Sequence, residues 1–308
     1  MVESQKDGVQ RNYEGLWGFE PVVVSCAELK MPLAGLFRAG NASPMANRVG
    51  LLTRVIRRLQ EAIPGIEITV RSDSAGYQAE MVRMCQQLGV AFTLTVRKDP
   101  AVLETIRGTS KDAWRVYASP AYPHKNTELA ETVHAFGDKD VSAFRMIVLR
   151  WPQAQMNFMD ADFYEYHAIA VSGEDQPAEL ALQFHRNRQD KSENMNKELI
   201  GGFGLSKLPC TKSRTSEGVE RDGRTANAAY FQLAMLSQIV FVAFKLLALP
   251  EDWKYKTIET VRFEMIRLAG VVSRRARALW LKRPATYPYL KVFEEARWAT
   301  MGAAAWVT

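Results

Sequence analysis

Apolar positions in the first hundred residues switch repeatedly between short β-branched runs and helical stripes, and the switches mark out the elements. Residues 21–27 (PVVVSCA) and 32–38 (PLAGLFR) are two apolar runs a few positions apart, which predicts neighbouring antiparallel strands. Ala39-Gly40-Asn41 ends the pair. Ser43 followed by Pro44 supplies a helix cap and a favoured first residue, and Leu52, Ile56, Leu59 and Ile63 then fall on one stripe. Arg54, Arg57 and Arg58 lie off that stripe, facing water or a phosphate backbone. Pro64-Gly65 stops the helix, and residues 66–71 (IEITVR) predict a strand that runs straight into Ser72-Asp73-Ser74-Ala75-Gly76-Tyr77. A helix over 75–88 closed by Gly89 and a strand over 91–97 (AFTLTVR) follow, giving the order β-β-α-β-α-β.

Helical periodicity fades between residues 98 and 182, where 144–150 (FRMIVLR) and 163–171 (FYEYHAIAV) predict strands of a separate β-rich insertion. Helices are predicted again over 190–200, 225–248 and 256–281, the last with Val261, Met265, Leu268 and Val272 on its apolar face. A polar loop over 211–224 (TKSRTSEGVERDGR) separates the first two, and no internal repeat is visible. The expected organisation is an α/β core over 1–100, a β-rich insertion over 101–183 and a helical region over 184–308. Residues 228–249 are apolar over about the length that crosses a bilayer, but Gln232, Ser237, Gln238 and Lys245 interrupt them. A buried helix of a soluble domain accommodates those four at lower cost, so no membrane partner is expected.

Composition narrows the picture only modestly. With 47% hydrophobic and 24% charged residues the chain is expected to be globular rather than disordered. The net charge of +6 and a pI near 9.2 favour polyanions such as nucleic acid without requiring them. Cys26, Cys85 and Cys210 are odd in number and far apart, which argues against a disulfide framework or a zinc site and fits a reducing cytoplasm. The polar N-terminus has no secretory-signal pattern. His124, His134, His167 and His185 have no neighbours that form a nucleophile-and-base arrangement, and Gly201-Gly202-Phe203-Gly204 follows a helix, as a stop does, rather than preceding one as a phosphate cradle would.

Two acids stand out. Asp73 sits just past a strand end, where α/β sheets place their chemistry, though a turn or cap role explains an Asp there equally well. Glu193 falls near a helix start, where Asp190 and Glu193 have capping-box spacing and Lys197 is placed for an i,i+4 ion pair; Glu198 is the alternative carboxylate.

Several blocks, in order, carry a family resemblance. RSDSAGY (71–77) resembles the block around the second catalytic Asp of insertion-sequence DDE transposases with an RNase H-like core and a β-rich insertion. LFRAGNA (36–42) resembles the strand end before it, and SENMNKELIGGFGLSKLPC (192–210) resembles the block with the third catalytic carboxylate. ANAAYF (226–231) and TIETVRFEMIRL (257–268) resemble the C-terminal helices of that family.

The resemblance implies an RNase H-like mixed sheet and metal-dependent cleavage and strand transfer at insertion-sequence ends. It implies that Asp73 and Glu193 hold Mg²⁺, with Mn²⁺ as a substitute, because two divalent ions between carboxylates activate the attacking oxygen and stabilise the leaving one. Arg188 and Lys197 would lie near the DNA backbone. The basic residues Arg267, Arg274, Arg275, Arg277, Lys282 and Arg283 are available for phosphate contacts, or form an ordinary solvated helix face. The implied partners are double-stranded DNA at terminal inverted repeats and a second copy of the chain, in the nucleoid.

Three departures qualify the match. Residues 2–5 (VESQ) resemble the segment that follows the first catalytic Asp, so the chain is expected to be a truncated copy starting just downstream of that residue, with Glu3 or Asp7 as substitutes. His185 and Arg188 fill the places of a Tyr-x-x-Arg-x-x-x-Glu pattern, but Glu193 falls one residue late. Ile200 stands where the family has Lys, seven residues after Glu193, and Lys197 is the replacement within reach. Without the first Asp the isolated chain is expected to be inactive, so a non-catalytic remnant that at most binds DNA or pairs with full-length transposase describes it better than an active enzyme; an RNase H-like nuclease with other substrates is a third reading.

Overall fold

Val22–Cys26 (β3) and Met31–Leu36 (β4) pair as the antiparallel hairpin that the two apolar runs predict, with a bulge between Val24 and Ser25. A shorter ribbon, Gln10–Arg11 (β1) with Trp17–Gly18 (β2), precedes it. The structure, a computed structural model, describes residues 6, 9–12, 14–43, 46–119, 122, 124, 126–153, 163–173, 176–187, 193–211, 223–267, 270–275, 277–284 and 286–304. Two units form: Met1–Gly40 with Ser192–Thr308, and Asn41–Lys191.

The unit Asn41–Lys191 is a mixed α/β fold. Helix α1 (Arg48–Ala62) starts later than the Ser43–Pro44 signal predicts, because Asn47 takes a left-handed conformation (φ 61°) that a helix cannot contain. Its Arg54, Arg57 and Arg58 face solvent as predicted. Thr69–Ser72 (β5) leads through a 3₁₀ turn at Ser74–Gly76 into α2 (Ala79–Leu88). Gly89 closes α2 in the left-handed region, its N–H donating to Cys85 and Gln86 carbonyls, before Ala91–Thr95 (β6). Two short elements without a predicted counterpart come next, α3 (Pro100–Arg107) and Arg115–Val116 (β7). Glu128–His134 (β8), also unpredicted, then precedes the two expected strands, Phe144–Pro152 (β9) and Tyr164–Val171 (β10), and α4 (Ala178–Arg186) ends the unit.

These strands make one six-stranded sheet in the order β5-β6-β10-β9-β8-β7. Only β5 and β6 are parallel. β10 pairs directly with β6, Ile169 opposite Thr95 and Val171 opposite Thr93, so the strands after residue 101 continue the core sheet. One sheet face buries Phe92, Leu94, Met146 and Val148 with residues from α1, α2 and α3; the other buries Leu129, Ile147, Leu149 and Ile169 against Ala178, Ala181 and Leu182 of α4.

The other unit continues with α5 (Asn194–Gly202), α6 (Gly223–Ala248), α7 (Ile258–Val261), β11 (Val271–Arg275), β12 (Ala278–Lys282) and α8 (Leu290–Ala304). Strand β4 packs tightly on α6, since a Cβ at Gly35 would come within 2.5 Å of Met235 Sδ, and Gln232 Nε2 donates to the Gly35 carbonyl at 2.9 Å. Residues Ala226–Ala248 are long and apolar enough to cross a membrane. Their interrupting amides are nevertheless bonded within the unit, Gln238 to the Met195 carbonyl and Asn227 to both backbone groups of Cys210.

The predicted helix over 256–281 is corrected. Helical structure ends at Ile266, in a π-helical turn over Arg262–Ile266, and β11 and β12 form a hairpin in its place. Val261 and Met265 are buried as the helical stripe requires, but Val272 is 67% exposed. Gly270 and the β-branched pair Val271-Val272 disfavour helix there, a signal that the apolar spacing concealed.

Candidate active site

Asp73 stands at the carboxyl end of β5, held in extended conformation (φ −72°, ψ −173°) as the cap of the 3₁₀ turn. Its Oδ1 accepts the Ala75 N–H at 3.1 Å and lies 3.4 Å from Ser72 Oγ. Arg48, the first residue of α1, brings Nη1 to 3.6 Å from the same oxygen. Oδ2 has no hydrogen bond among the described residues, and the side chain is 49% exposed. The turn requires Gly76, because a Cβ there would sit 2.3 Å from Ser72 Oγ. Tyr77 anchors the far side beneath Phe136 and Phe144, and burial raises its hydroxyl pKa. The cap reading and the catalytic reading of Asp73 are thus compatible: one oxygen shapes the turn, and the other has no bond among the described residues.

The last turn of α4 is fastened to the same end of the sheet. Arg71 Nη1 donates to the Phe184 carbonyl at 2.5 Å, and its guanidinium covers the Phe184 ring at 4.7 Å. Buried His185 bonds both Thr93 and Thr95 hydroxyls of β6, at 2.6 and 2.8 Å. This is a packing role. The other histidines are also engaged: His124 stacks on Trp151 at 4.1 Å, His134 bonds Thr105 at 2.8 Å, and His167 packs near Tyr122.

Glu193 belongs to the other unit, at the start of α5, in helical conformation and exposed. Its side chain makes no capping bond, and no ion pair joins it to Lys197 among the described residues. Asp190, Arg188, Glu3, Asp7 and the segment 2–5 lie outside the described residues. Glu193, Lys197 and Ile200 form one exposed stripe of α5, so Ile200 presents a side chain outward where the resemblance places Lys. Met195, Leu199 and Gly202 make the buried face. Glu198 is committed elsewhere: its Oε1 accepts the Ile258 N–H at 2.7 Å, at the start of α7. Gly202 lets the helices meet, since a Cβ there would lie 2.4 Å from Ile258 Cγ2.

Both acids present oxygen donors, the chemistry that a hard divalent cation takes. Asp73 offers one oriented oxygen and Glu193 a carboxylate with no bond among the described residues. Among the described residues no group of three His, Cys, Asp or Glu gathers at metal-ligand range. Arg274 and Arg277 lie on the hairpin rather than on a helix face, Arg277 at its turn with φ 62°. The role of Arg48 beside Asp73 had no sequence signal, because it follows from where α1 begins.

Residues 2–300 match the model of a family described as transposase DDE domain group 1. No curated protein matches the chain. Six chains of solved structures match. One is a cryo-EM structure of a piggyBac transposase synaptic complex with hairpin DNA, 11% identical, with a TM-score of 0.35. The match covers 74% of this chain and 42% of that one, so the chain spans less than half the length of the structure it is similar to.

Proposed function

The chain belongs to the transposase DDE domain family, and from that premise we propose that it carries out divalent-metal-dependent strand cleavage and strand transfer on double-stranded DNA at element ends. The observation that carries this reading is the corner at Asp73, where one carboxylate oxygen is fixed by the Ala75 N–H and the other is left open at the end of a parallel strand. Asp73 and Glu193 would hold Mg²⁺ or Mn²⁺ together. Bound there, the metal would lower the pKa of an attacking water or 3′-hydroxyl and neutralise the leaving oxygen.

The protein's own groups then have distinct tasks. Ala75 N–H and Ser72 Oγ orient Asp73, which restricts it to one rotamer before any ligand arrives. Arg48 attracts that carboxylate from the α1 side and helps hold it in place. Lys197, one turn from Glu193 on the exposed stripe, would meet the DNA backbone as a point charge. A second reading, DNA binding without cleavage, is favoured by the exposed Ile200 where the family carries Lys.

Incubation of labelled element-end duplex with the protein and Mg²⁺ or Mn²⁺ tests both. Nicking that is absent in chelator and in Asp73→Ala supports the first reading. Duplex binding with no nicking by the unaltered protein supports the second.

A further inference from the structure

Residues 267–283 contain six Lys and Arg and no Asp or Glu. Taking those six from the chain's 40 leaves 34, equal to its 34 Asp and Glu, so the whole net charge of +6 resides in this stretch. Within it β11 and β12 pair as a hairpin, with Val272 opposite Leu281, Ser273 opposite Trp280, Arg274 opposite Leu279 and Arg275 opposite Ala278. Strand alternation puts Val272, Arg274, Leu279 and Leu281 on one face, and Ser273, Arg275, Trp280 and Lys282 on the other.

Both faces are open to solvent. Val271, Val272, Leu279, Trp280 and Leu281 are all more than half exposed. A two-stranded ribbon with neither face covered is marginal in water, so this one gains more than most elements from a partner. Arg274, Arg275, Arg277 and Lys282 are exposed and form no ion pair among the described residues. Arg283 differs, since it packs over the Phe293 ring at 3.1 Å and near Tyr287. Cations occur on both faces, interleaved with apolar residues. A membrane-lying element would instead segregate the two kinds of residue.

We propose that the β11–β12 hairpin is a duplex-DNA-binding ribbon, lying along the major groove with Arg274, Arg275, Arg277 and Lys282 on phosphates of its two walls. The groove, about 12 Å wide, admits a two-stranded ribbon, and a polyanion is the occupant that an acid-free, six-cation segment complements. The inference rests on the reading of the chain as a DNA-handling domain, but not on Asp73 or Glu193.

The test is fluorescence anisotropy of labelled duplex across a salt series, in chelator so that no cleavage occurs. The combined variant Arg274→Gln, Arg275→Gln, Arg277→Gly, Lys282→Gln should bind at least about tenfold more weakly at low salt. Its slope of log affinity against log salt should fall by roughly 3 to 4, at about 0.9 for each phosphate no longer neutralised. If that variant does not fold, Arg275→Gln alone should lower the slope by about 1. Trp280→Leu, which keeps every charge, should weaken binding at an unchanged slope. Slopes that stay at the unaltered value in the charge variants would overturn the proposal, as would hairpin-dependent binding to anionic vesicles or single strands without hairpin-dependent binding to duplex. Because no metal is present, hairpin-dependent binding by a protein that never nicks refutes only the cleavage reading. Nicking with an unaltered slope refutes only this one.

Discussion

The arginines of the six-stranded sheet and those of the β11–β12 hairpin are the same side chain in opposite circumstances. On β9 they are neutralised across strands: Arg150 reaches Glu128 at 2.7 Å from the directly opposite position, and Arg145 reaches Glu131 at 2.5 Å. Arg115 meets both Glu131 and Glu179, and Arg83 on α2 meets Asp138. Arg150 also lies over the Trp114 and Tyr164 rings, at 3.8 and 4.5 Å. In the hairpin the positions opposite Arg274 and Arg275 are Leu279 and Ala278, and no carboxylate lies in the segment. The difference separates charges that the fold uses internally from charges available to a ligand. Among the acids the same distinction sets Glu198, bonded to the Ile258 N–H, apart from Glu193.

The sharpest way to break that distinction is to exchange the two glutamates' fates. Glu193→Gln should lower metal-dependent nicking at least about 100-fold, since even partners behind a metal ligand are worth roughly 10–100-fold, while leaving the melting temperature within a degree or two. Glu198→Gln should do the reverse, keeping nicking while lowering stability by about 1 kcal/mol through the weakened bond to Ile258. Equal losses of nicking from both would erase the distinction.

A change of pH tests whether the sheet tolerates an unpaired charge. Burial, with Lys98 and Arg186 nearby, lowers the His167 pKa from 6.5 to about 4, so the folded protein keeps this ring neutral. In the unfolded chain it protonates near 6.5. Its contribution is therefore complete above pH 6.5 and declines as pH falls toward 4, by about 3 kcal/mol in all. Denaturant midpoints measured from pH 7 to pH 4 should show that decline, and His167→Phe should flatten its share. A still smaller loss, about 1 kcal/mol, is expected for Arg150→Met, which removes a partly exposed ion pair and a cation–π contact. Duplex affinity and its salt dependence should not change in that variant.

Much of the Asp73 corner was legible in the sequence. Pro64-Gly65 and Gly89 punctuate the chain on either side, and the strand into Ser72-Asp73 has the composition of one. Helix α3 went unpredicted although Asp99-Pro100 opens it, the Asp99 carboxylate accepting the Val102 N–H at 3.0 Å. Strand β8 (ELAETVH) was not legible, because its burial does not alternate and Ala and Glu read as helix formers. The hairpin was hidden for another reason. Its valines and leucines fit a helical stripe as well as two strands, and only Gly270 and the β-branched Val271-Val272 speak against the helix. Arg48 at Asp73 follows from tertiary placement, which no local pattern encodes.

Mn²⁺ binding to the intact protein, followed by electron paramagnetic resonance in Asp73→Asn, Glu193→Gln and the double variant, bears most directly on the proposal that these two carboxylates hold one ion. Each single substitution should remove the same tight site and the double should remove no more. Mn²⁺ affinity unchanged by either substitution, or two separate sites lost one by one, would show that Asp73 and Glu193 do not grip a common ion.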